Sequence, residues 1–484
     1  MKDHNLLVLS DVHLGSDLVQ HARPEAPTRG EPSERRDRDL VAMLDWYRAH
    51  RLGDRPWKLV LAGDFVDFVG MSVATSGKLE TQPTDEERAH GLGGAVDHAI
   101  AKLELVGAHH SAVFHSLSHF LAEGNTLVVL RGNHDLDLHW EPVQKEFIRQ
   151  LEMHAPVTRG HIEFAPWFYY EEGVIYVEHG HQYDRCCSYD HLLHPVSPRD
   201  PRRSTQSLSD ILLRYVVRPT RGMLESGHDR AGLVDYLRFA KRLGTGGMLA
   251  LLRRFLAANG ALFGAWREHF SSSAAWVRRE HERKMTLLAE AKQISLDRLK
   301  ALAKLQRPPV TRSVTLILAS MMLDRIVIGV AATAAFATII ISSPGLIHIM
   351  GRSALAALGL AGITAIWARS RRALLDASAE LRLRAASVAK LFPAAFVVMG
   401  HTHLPEVHLV PSEQVTYVNL GSWAEESSED GSPGSLPATR THLVVQYTDS
   451  GLPVAELLKW NASSGPERFD TGFDARSSPF GGES

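Results

Sequence analysis

The chain has 484 residues, of which 44% are hydrophobic and 22% charged. That balance excludes a disordered chain, a collagen-like fibre and a disulfide-stapled miniprotein, and most of the chain is too polar for a polytopic transporter. At about 150 residues per domain the length suits about three domains, or one domain with a large insertion.

The formal net charge is only −2, but it is unevenly spread. Residues 201–312 carry 22 Lys and Arg against 9 Asp and Glu, residues 313–390 carry 8 against 3, and the rest of the chain is acidic. Such asymmetry marks two parts with different partners, and a basic part suits an anionic membrane surface or nucleic acid. Cys186 and Cys187 are the only cysteines and are adjacent. They are poorly placed to bridge each other and read as packed thiols in a reducing compartment. The apolar run 6–9 is too short for a secretory signal and predicts a strand.

Taken in order, residues 5–10 read as a buried strand, 20–38 as a loop, 40–50 as a helix and 58–62 as a second buried strand. Residues 70–90 read as a polar loop and 94–122 as a helix, with the next strand at 126–130. Residues 143–154 predict a helix behind Pro142, a position where proline is tolerated. Strands follow at 174–178 and 395–399, with alternating sheet-like runs at 415–420 and 441–448. Strand–helix alternation with a β-rich close predicts an α/β fold, a β-sandwich of two sheets flanked by helices.

Between 200 and 390 the strand signal vanishes. Residues 206–305 read as helices broken by glycine clusters (Gly244, Gly246, Gly247; Gly260, Gly264) and ended by Pro308-Pro309. Residues 326–343 hold no charge, 342–345 are a turn signal, and 346–368 hold Arg352 as their one Lys or Arg. Each span is long enough to cross a bilayer core. Arg312 and Arg325 before the pair, and Arg369, Arg371 and Arg372 after it, place both ends on the cytoplasmic side. A buried or monotopic hairpin is the alternative. The expected organisation is a core in two parts, 1–199 and 391–463, an all-α basic insertion at 200–390 with a probable transmembrane hairpin at 326–368, and a disordered tail at 464–484.

Five short elements each follow an apolar run. They are Asp11-Val12-His13, Gly63-Asp64-Phe65-Val66-Asp67, Gly132-Asn133-His134-Asp135, His179-Gly180-His181 and Gly400-His401-Thr402-His403. Side chains at the carboxyl ends of strands converge on one crevice. Asp, His and Asn without a thiolate suit Mn, Fe, Zn or Mg rather than a structural zinc site. Asp11, His13, Asp64, Asn133, His179, His401 and His403 are too many for one ion but fill two if a carboxylate bridges. Asp64 is the natural bridge, since the preceding glycine permits close backbone approach. Two metals about 3.5–4 Å apart stabilise the attacking and leaving oxygens of an in-line displacement at phosphorus.

In that order these motifs resemble the calcineurin-like metallophosphoesterases, over roughly 1–200 and 391–425. The resemblance implies that Asp11, His13, Asp64 and His403 hold one metal, and that Asp64, Asn133, His179 and His401 hold the other. It implies that His134 contacts phosphate and acts as general acid, oriented by Asp67. Either histidine of His179-Gly180-His181 could be the ligand; His179 is favoured as nearest the strand end, with His181 a substrate contact or a support. Asn419-Leu420-Gly421-Ser422 resembles the closing segment of the family. Arg131, Tyr183 and Asn419 are further candidates for substrate contact, Arg131 equally for a structural ion pair. His191 and His194 could line the pocket. His109, His110, His115 and His119 read as a polar helix face.

The basic, apolar insertion bears on substrate. Lipid-linked phosphoesters want cations for the headgroup and an apolar route for acyl chains. A nuclease needs no apolar spans, so a nucleic-acid partner is not expected. Among lipid-directed families, the chain resembles the UDP-2,3-diacylglucosamine diphosphatases of lipid A synthesis in Ser10-Asp11-Val12-His13-Leu14, a strand ending in His-Gly, Gly400-His401-Thr402-His403, and a helical insertion between the last two. It departs from them in having His134 where they commonly have Arg, His181 where they have Asp, and a far larger insertion. The implied partners are a phospholipid or glycolipid substrate and the membrane, with Mn the first choice of metal. The alternatives are a membrane-tethered phosphatase or phosphodiesterase for soluble substrates and an inactive membrane scaffold.

Overall fold

Short Leu- and Val-rich runs build two stacked sheets. A computed structural model describes residues 3–19, 31–74, 79–220, 223, 239–320, 359, 362, 377–410, 414–424 and 438–470. In the first sheet β1 (Asn5–Leu9), β2 (Trp57–Ala62), β3 (Thr126–Leu130) and β4 (Ile162–Ala165) run parallel in that order. The second sheet begins with β5 (Phe168–Glu171), β6 (Ile175–Glu178) and β7 (Phe396–Met399), and continues through β9 (Val415–Leu420) to β8 (Pro405–Val410) at its edge. On the far side of β1 the first sheet is extended antiparallel by β10 (Thr441–Tyr447), β11 (Pro453–Asn461) and β12 (Gly465–Arg468).

Strand alternation decides what faces what. Leu6, Val8, Val60, Ala62, Val128 and Leu130 meet Ile175, Val177, Val398 and Val418 between the sheets. The intervening Leu7, Leu9, Leu59, Leu61, Leu127 and Val129 pack under helices Glu31–Ala49, Val96–His109, Ser111–Ala122 and Glu141–Glu152. With both faces covered, these strands read as continuous apolar runs. Each fully buried Leu or Val contributes about 1.5–3 kcal/mol. The outer face of the second sheet (Tyr176, Val397, Met399, Tyr417) is covered by Met285, Leu288, Leu299, Leu302, Leu381, Ala385 and Val388. Those residues lie on helices Ala274–Ala291, Leu296–Leu305 and Ala377–Leu391, so helices from the middle and the close of the insertion form the sandwich's second outer layer.

Several expectations change in detail. The segment 94–122 is two helices meeting at His110, whose ring is fully buried. The expected loop at 70–90 holds helix Asp85–His90, nucleated by a capping box between Thr84 and Glu87. The helix at 40–50 starts earlier, at Glu31. Gly244, at φ +71°, marks a break as expected, after helical residues 239–242, and opens helix Gly244–Glu268; Gly246, Gly247, Gly260 and Gly264 do not break that helix, which runs through them. Each interior glycine costs about 1 kcal/mol against alanine, offset here by burial of Leu251, Ala258 and Leu262. The expected tail from 464 opens with β12, paired to β11 from Asn461↔Gly465 to Leu458↔Arg468. The apolar hairpin 326–368 lies, apart from 359 and 362, outside the described residues.

Candidate metal centre

The site residues hang on turns that leave the strands abruptly. Asp11 and His13 after β1, Asp64 after β2, and His401 and His403 after β7 all have left-handed backbone, φ 54°, 52°, 54°, 71° and 60°. Side-chain-bearing residues held in this region cost about 1–3 kcal/mol each and cluster at functional sites. Interlocking amides hold them there. Asp11 N donates to Gly63 O at 3.2 Å, Val12 N and His13 N donate to Asp64 O at 3.0 and 2.9 Å, and Trp423 N donates to Asp11 O at 3.0 Å. Arg36 Nη1 donates to His13 O at 2.9 Å. The glycines before the site residues answer to packing. A Cβ on Gly63 would sit 2.6 Å from the His179 ring, one on Gly132 would fall on Asp64 Oδ1, and one on Gly400 on Ser10 Oγ and Asp11 Oδ2.

Asp64 lies at the centre. Its Oδ2 is 3.1 Å from His179 Nε2 and 3.8 Å from His13 Nε2. Asp11 Oδ1 is 3.2 Å from His403 Nε2 and 3.9 Å from His13 Nε2. Asn133 Oδ1 is 3.2 Å from His179 Nε2. Ligand atoms of three overlapping trios, Asp11–His13–His403, Asp11–Asp64–His179 and His13–Asp64–His134, lie within 4.8 Å of one another. His179 Nδ1 is 2.9 Å from Ala62 O, which points Nε2 at the carboxylate. Asp11 Oδ1 and His13 Nε2 are buried without a hydrogen-bond partner. Orphaned acceptors among nitrogen and oxygen donors, with Asp64 shared between two sets, fit a dinuclear divalent-metal site.

The electrostatics agree. Burial opposes charge on Asp11, yet His179, His13 and His403 hold its carboxyl well below the usual range. Burial likewise works against the Asp64 carboxylate and is outweighed by His179 and His134. Burial lowers the His179 imidazole, but Asp64 and Asp11 raise it further, to about 9. Cation binding here therefore displaces protons. His134 Nδ1 is 2.6 Å from Asp67 Oδ1. Burial disfavours its charged form, and the Asp67 and Asp64 carboxylates more than reverse that.

The other expected residues are placed differently. His401 stands beside the trios around Asp64: its Nε2 is 3.2 Å from Asp184 Oδ2, and its ring centroid is 5.4 Å from that of His179. His181 is buried behind His179, its Nε2 2.9 Å from Gln182 Nε2. Arg131, Tyr183 and Asn419, expected against substrate, are committed within the fold. Arg131 Nη2 donates to Pro166 O and Leu192 O at 2.6 and 3.2 Å, and Tyr183 Oη donates to Glu178 Oε1 at 2.5 Å. Asn419 Nδ2 donates to Gly400 O at 2.8 Å and its Oδ1 accepts from Gly421 N at 3.1 Å, so it clamps the β7 turn to β9. His191 and His194 line a cavity with Asp190, His269 and Arg312. His110 is no surface residue: its Nδ1 is 2.7 Å from Asp37 Oδ2, and its Nε2 accepts from Gly15 N at 3.0 Å.

Sequence reasoning missed three residues. Asp135 accepts from Gly132 N and Phe65 N at 2.5 and 2.9 Å, and burial and then Asp64 push its carboxyl up to about 6. Its signal was its place at the end of Gly132-Asn133-His134-Asp135. Arg218 reaches in from the insertion, Nη2 3.4 Å from Asp67 Oδ2 and Nη1 donating to Ser16 O at 2.8 Å, with no motif to announce it. Asp184 is the third.

Residues 4–220 match the family model for calcineurin-like phosphoesterases. This stretch is a calcineurin-like phosphoesterase domain. The chain is accordingly a metal-dependent phosphoester hydrolase. No curated protein matches it. The matched part of the phosphoesterase carries Asp11, His13, Asp64, Asn133, His134 and His179, while His401 and His403 arrive on β7 from beyond the insertion.

Proposed function

We propose that this phosphoesterase cleaves a phosphoester or pyrophosphate in a lipid-linked or nucleotide-sugar substrate such as UDP-2,3-diacylglucosamine, at the cytoplasmic face of a membrane, with two divalent cations, Mn foremost. The observation that carries the chemistry is Asp64 Oδ2 at 3.1 Å from His179 Nε2, beside the Asp11–His13–His403 trio. Asp11, His13, Asp64 and His403 would hold one cation, and Asp64, Asn133, His179 and His401 the other. When bound, such a pair activates water and offsets charge on the phosphoryl oxygens during in-line displacement. His134, fixed through Nδ1 by Asp67 Oδ1 at 2.6 Å, keeps Nε2 for the departing oxygen and delivers a proton to it.

The substrate class rests on the insertion. Helix Gly244–Glu268 is the one helix among the described residues long and apolar enough to cross a membrane, and little of it is buried. Met248, Leu249, Leu252 and Leu256 are 48–62% exposed on it, with Arg253 beside them. An apolar face with cations favours a bilayer and an acylated, anionic substrate. His134, where the diphosphatases commonly have Arg, favours the second reading, a tethered enzyme for soluble phosphoesters. The full set of site residues argues against an inactive scaffold.

Turnover of bis(p-nitrophenyl) phosphate with added Mn tests the chemistry. Asp64→Ala should abolish it and His134→Ala should lower it about 10²–10⁴-fold; unchanged turnover in either variant rejects the role given to that residue. Detergent-solubilised protein offered UDP-2,3-diacylglucosamine, phosphatidyl phosphates and cyclic nucleotides tests the substrate, with products read by mass spectrometry. Release of UMP and an acylated sugar phosphate supports the first reading, and cleavage of soluble esters alone supports the second.

A further inference from the structure

Asp184 caps the short helical turn His181–Tyr183 that follows β6. Its own turn holds it rigid. Asp184 N donates to His181 O at 3.1 Å, Asp184 O accepts from Ser188 N at 2.8 Å, and Asp184 Oδ1 accepts from Cys186 N at 2.8 Å. The remaining oxygen, Oδ2, is 3.2 Å from His401 Nε2. His401 is strained, at φ 71°, and its backbone N–H is given to Asp11 Oδ2 at 3.1 Å. Nothing in its own turn orients its ring.

A neutral imidazole carries one N–H and one lone pair. A carboxylate against Nε2 selects the tautomer with hydrogen on Nε2 and leaves Nδ1 as the lone-pair nitrogen, the form a divalent cation takes. We propose that Asp184 is a positioning residue. It holds the His401 ring and its tautomer so that Nδ1 serves the second cation, tying the turn after β6 to the turn after β7. The proposal rests on the dinuclear reading above and adds to it a residue outside the metal-ligand set. It also accounts for His401 standing apart from the trios around Asp64: the ring is oriented by a second carboxylate. Cys187 lies in the same trio as Asp184 and His401. It is buried, and its thiol is pushed up by that burial and by Asp184, which leaves it protonated and packed.

The test uses the full chain, metal-stripped in detergent and titrated with Mn by calorimetry and electron paramagnetic resonance. The wild-type chain should take up two Mn and show a spin-coupled spectrum. D184N should bind one of the two about 10- to 100-fold more weakly, with a mononuclear spectrum at the same Mn level and an unchanged apo-protein Tm. H401A should give the same spectrum, and D184E should recover coupling. If D184N loses the fold, D184S, which keeps an acceptor for Cys186 N, is read in its place. Two Mn bound with wild-type affinity in the Asp184 variant overturns this proposal alone. A wild-type chain that takes up fewer than two Mn overturns the dinuclear reading and this proposal with it.

Discussion

At the scale of single residues, the site is built by glycines and backbone strain as much as by ligands. Gly132 has no room for a methyl, which would land on Asp64 Oδ1. Gly132→Ala should therefore weaken Mn binding and lower turnover at least about 10²-fold, the scale of a misplaced reacting group, while the folded chain survives; calorimetry and turnover on the same preparation check this. Glu178, one residue before His179, makes a pH prediction. Burial raises its carboxyl to about 7, although Tyr183 Oη and Trp167 Nε1 donate to it. Its unfolded value is about 4.3. The folded chain keeps this proton to higher pH, so stability falls as pH rises from about 4 to about 7 and levels off above. Glu178→Gln should raise Tm more at pH 8 than at pH 5, and equal shifts at both would show that the carboxyl is not the cause. The ligand types were legible because each motif sits directly after an apolar run. Adjacency to a motif does not say where a side chain points: Tyr183 and Asn419 are spent on bonds within the fold, and Arg131 takes the structural role that was its alternative to substrate contact. Asn419 lies two residues from Gly421 and donates instead across to Gly400 O.

At the scale of elements, apolar runs marked β1, β2 and β3 because both faces of those strands are buried. Edge strands carry no such mark: β8 (PEVHLV) is half-exposed along most of its length and reads as loop. Helix Asp85–His90 was missed because six residues show no periodicity, although Thr84 and Glu87 spell its start. The helix links the core to the insertion: Glu87 Oε2 is 2.9 Å from Arg203 Nη2, and Glu86 pairs with Arg214. Thr84→Ala should cost about 1 kcal/mol, measured by chemical denaturation. Residues 94–122 read as one helix because the apolar spacing carries through His110. The break there answers to Asp37 and Gly15, far away in sequence, which take both nitrogens of the buried ring.

At the scale of the whole molecule, the insertion is woven into the sandwich. β6 precedes it and β7 and β9 follow it, and its helices Ala274–Ala291, Leu296–Leu305 and Ala377–Leu391 cover that sheet. Removing 313–390 would strip away Leu381, Ala385 and Val388, so a membrane test should delete only 321–376. Carbonate-washed membranes should keep the full chain and release that deletion; release of both would leave the segment a peripheral cap. On membranes washed without carbonate, Leu249→Glu with Leu252→Glu, on the exposed face of helix Gly244–Glu268, should reduce the retention of the deletion variant while turnover of bis(p-nitrophenyl) phosphate stays unchanged. Fractionation and assay of the same extracts decide it.

By itself the sequence determined the chemistry on offer: which strands are buried, which Asp, His and Asn residues stand at their ends, and that a basic, apolar stretch interrupts the core. Those features are local, since an apolar run and the residue after it lie within a few positions of each other. Only the tertiary structure decided which of those residues meet. Asp64 lies against His179, 115 positions away, because β2 and β6 stack face to face in different sheets, and His401 lies against Asp184 because β6 and β7 pair across the insertion. Such contacts come from sheet order and burial between distant strands, and a linear pattern carries no record of them.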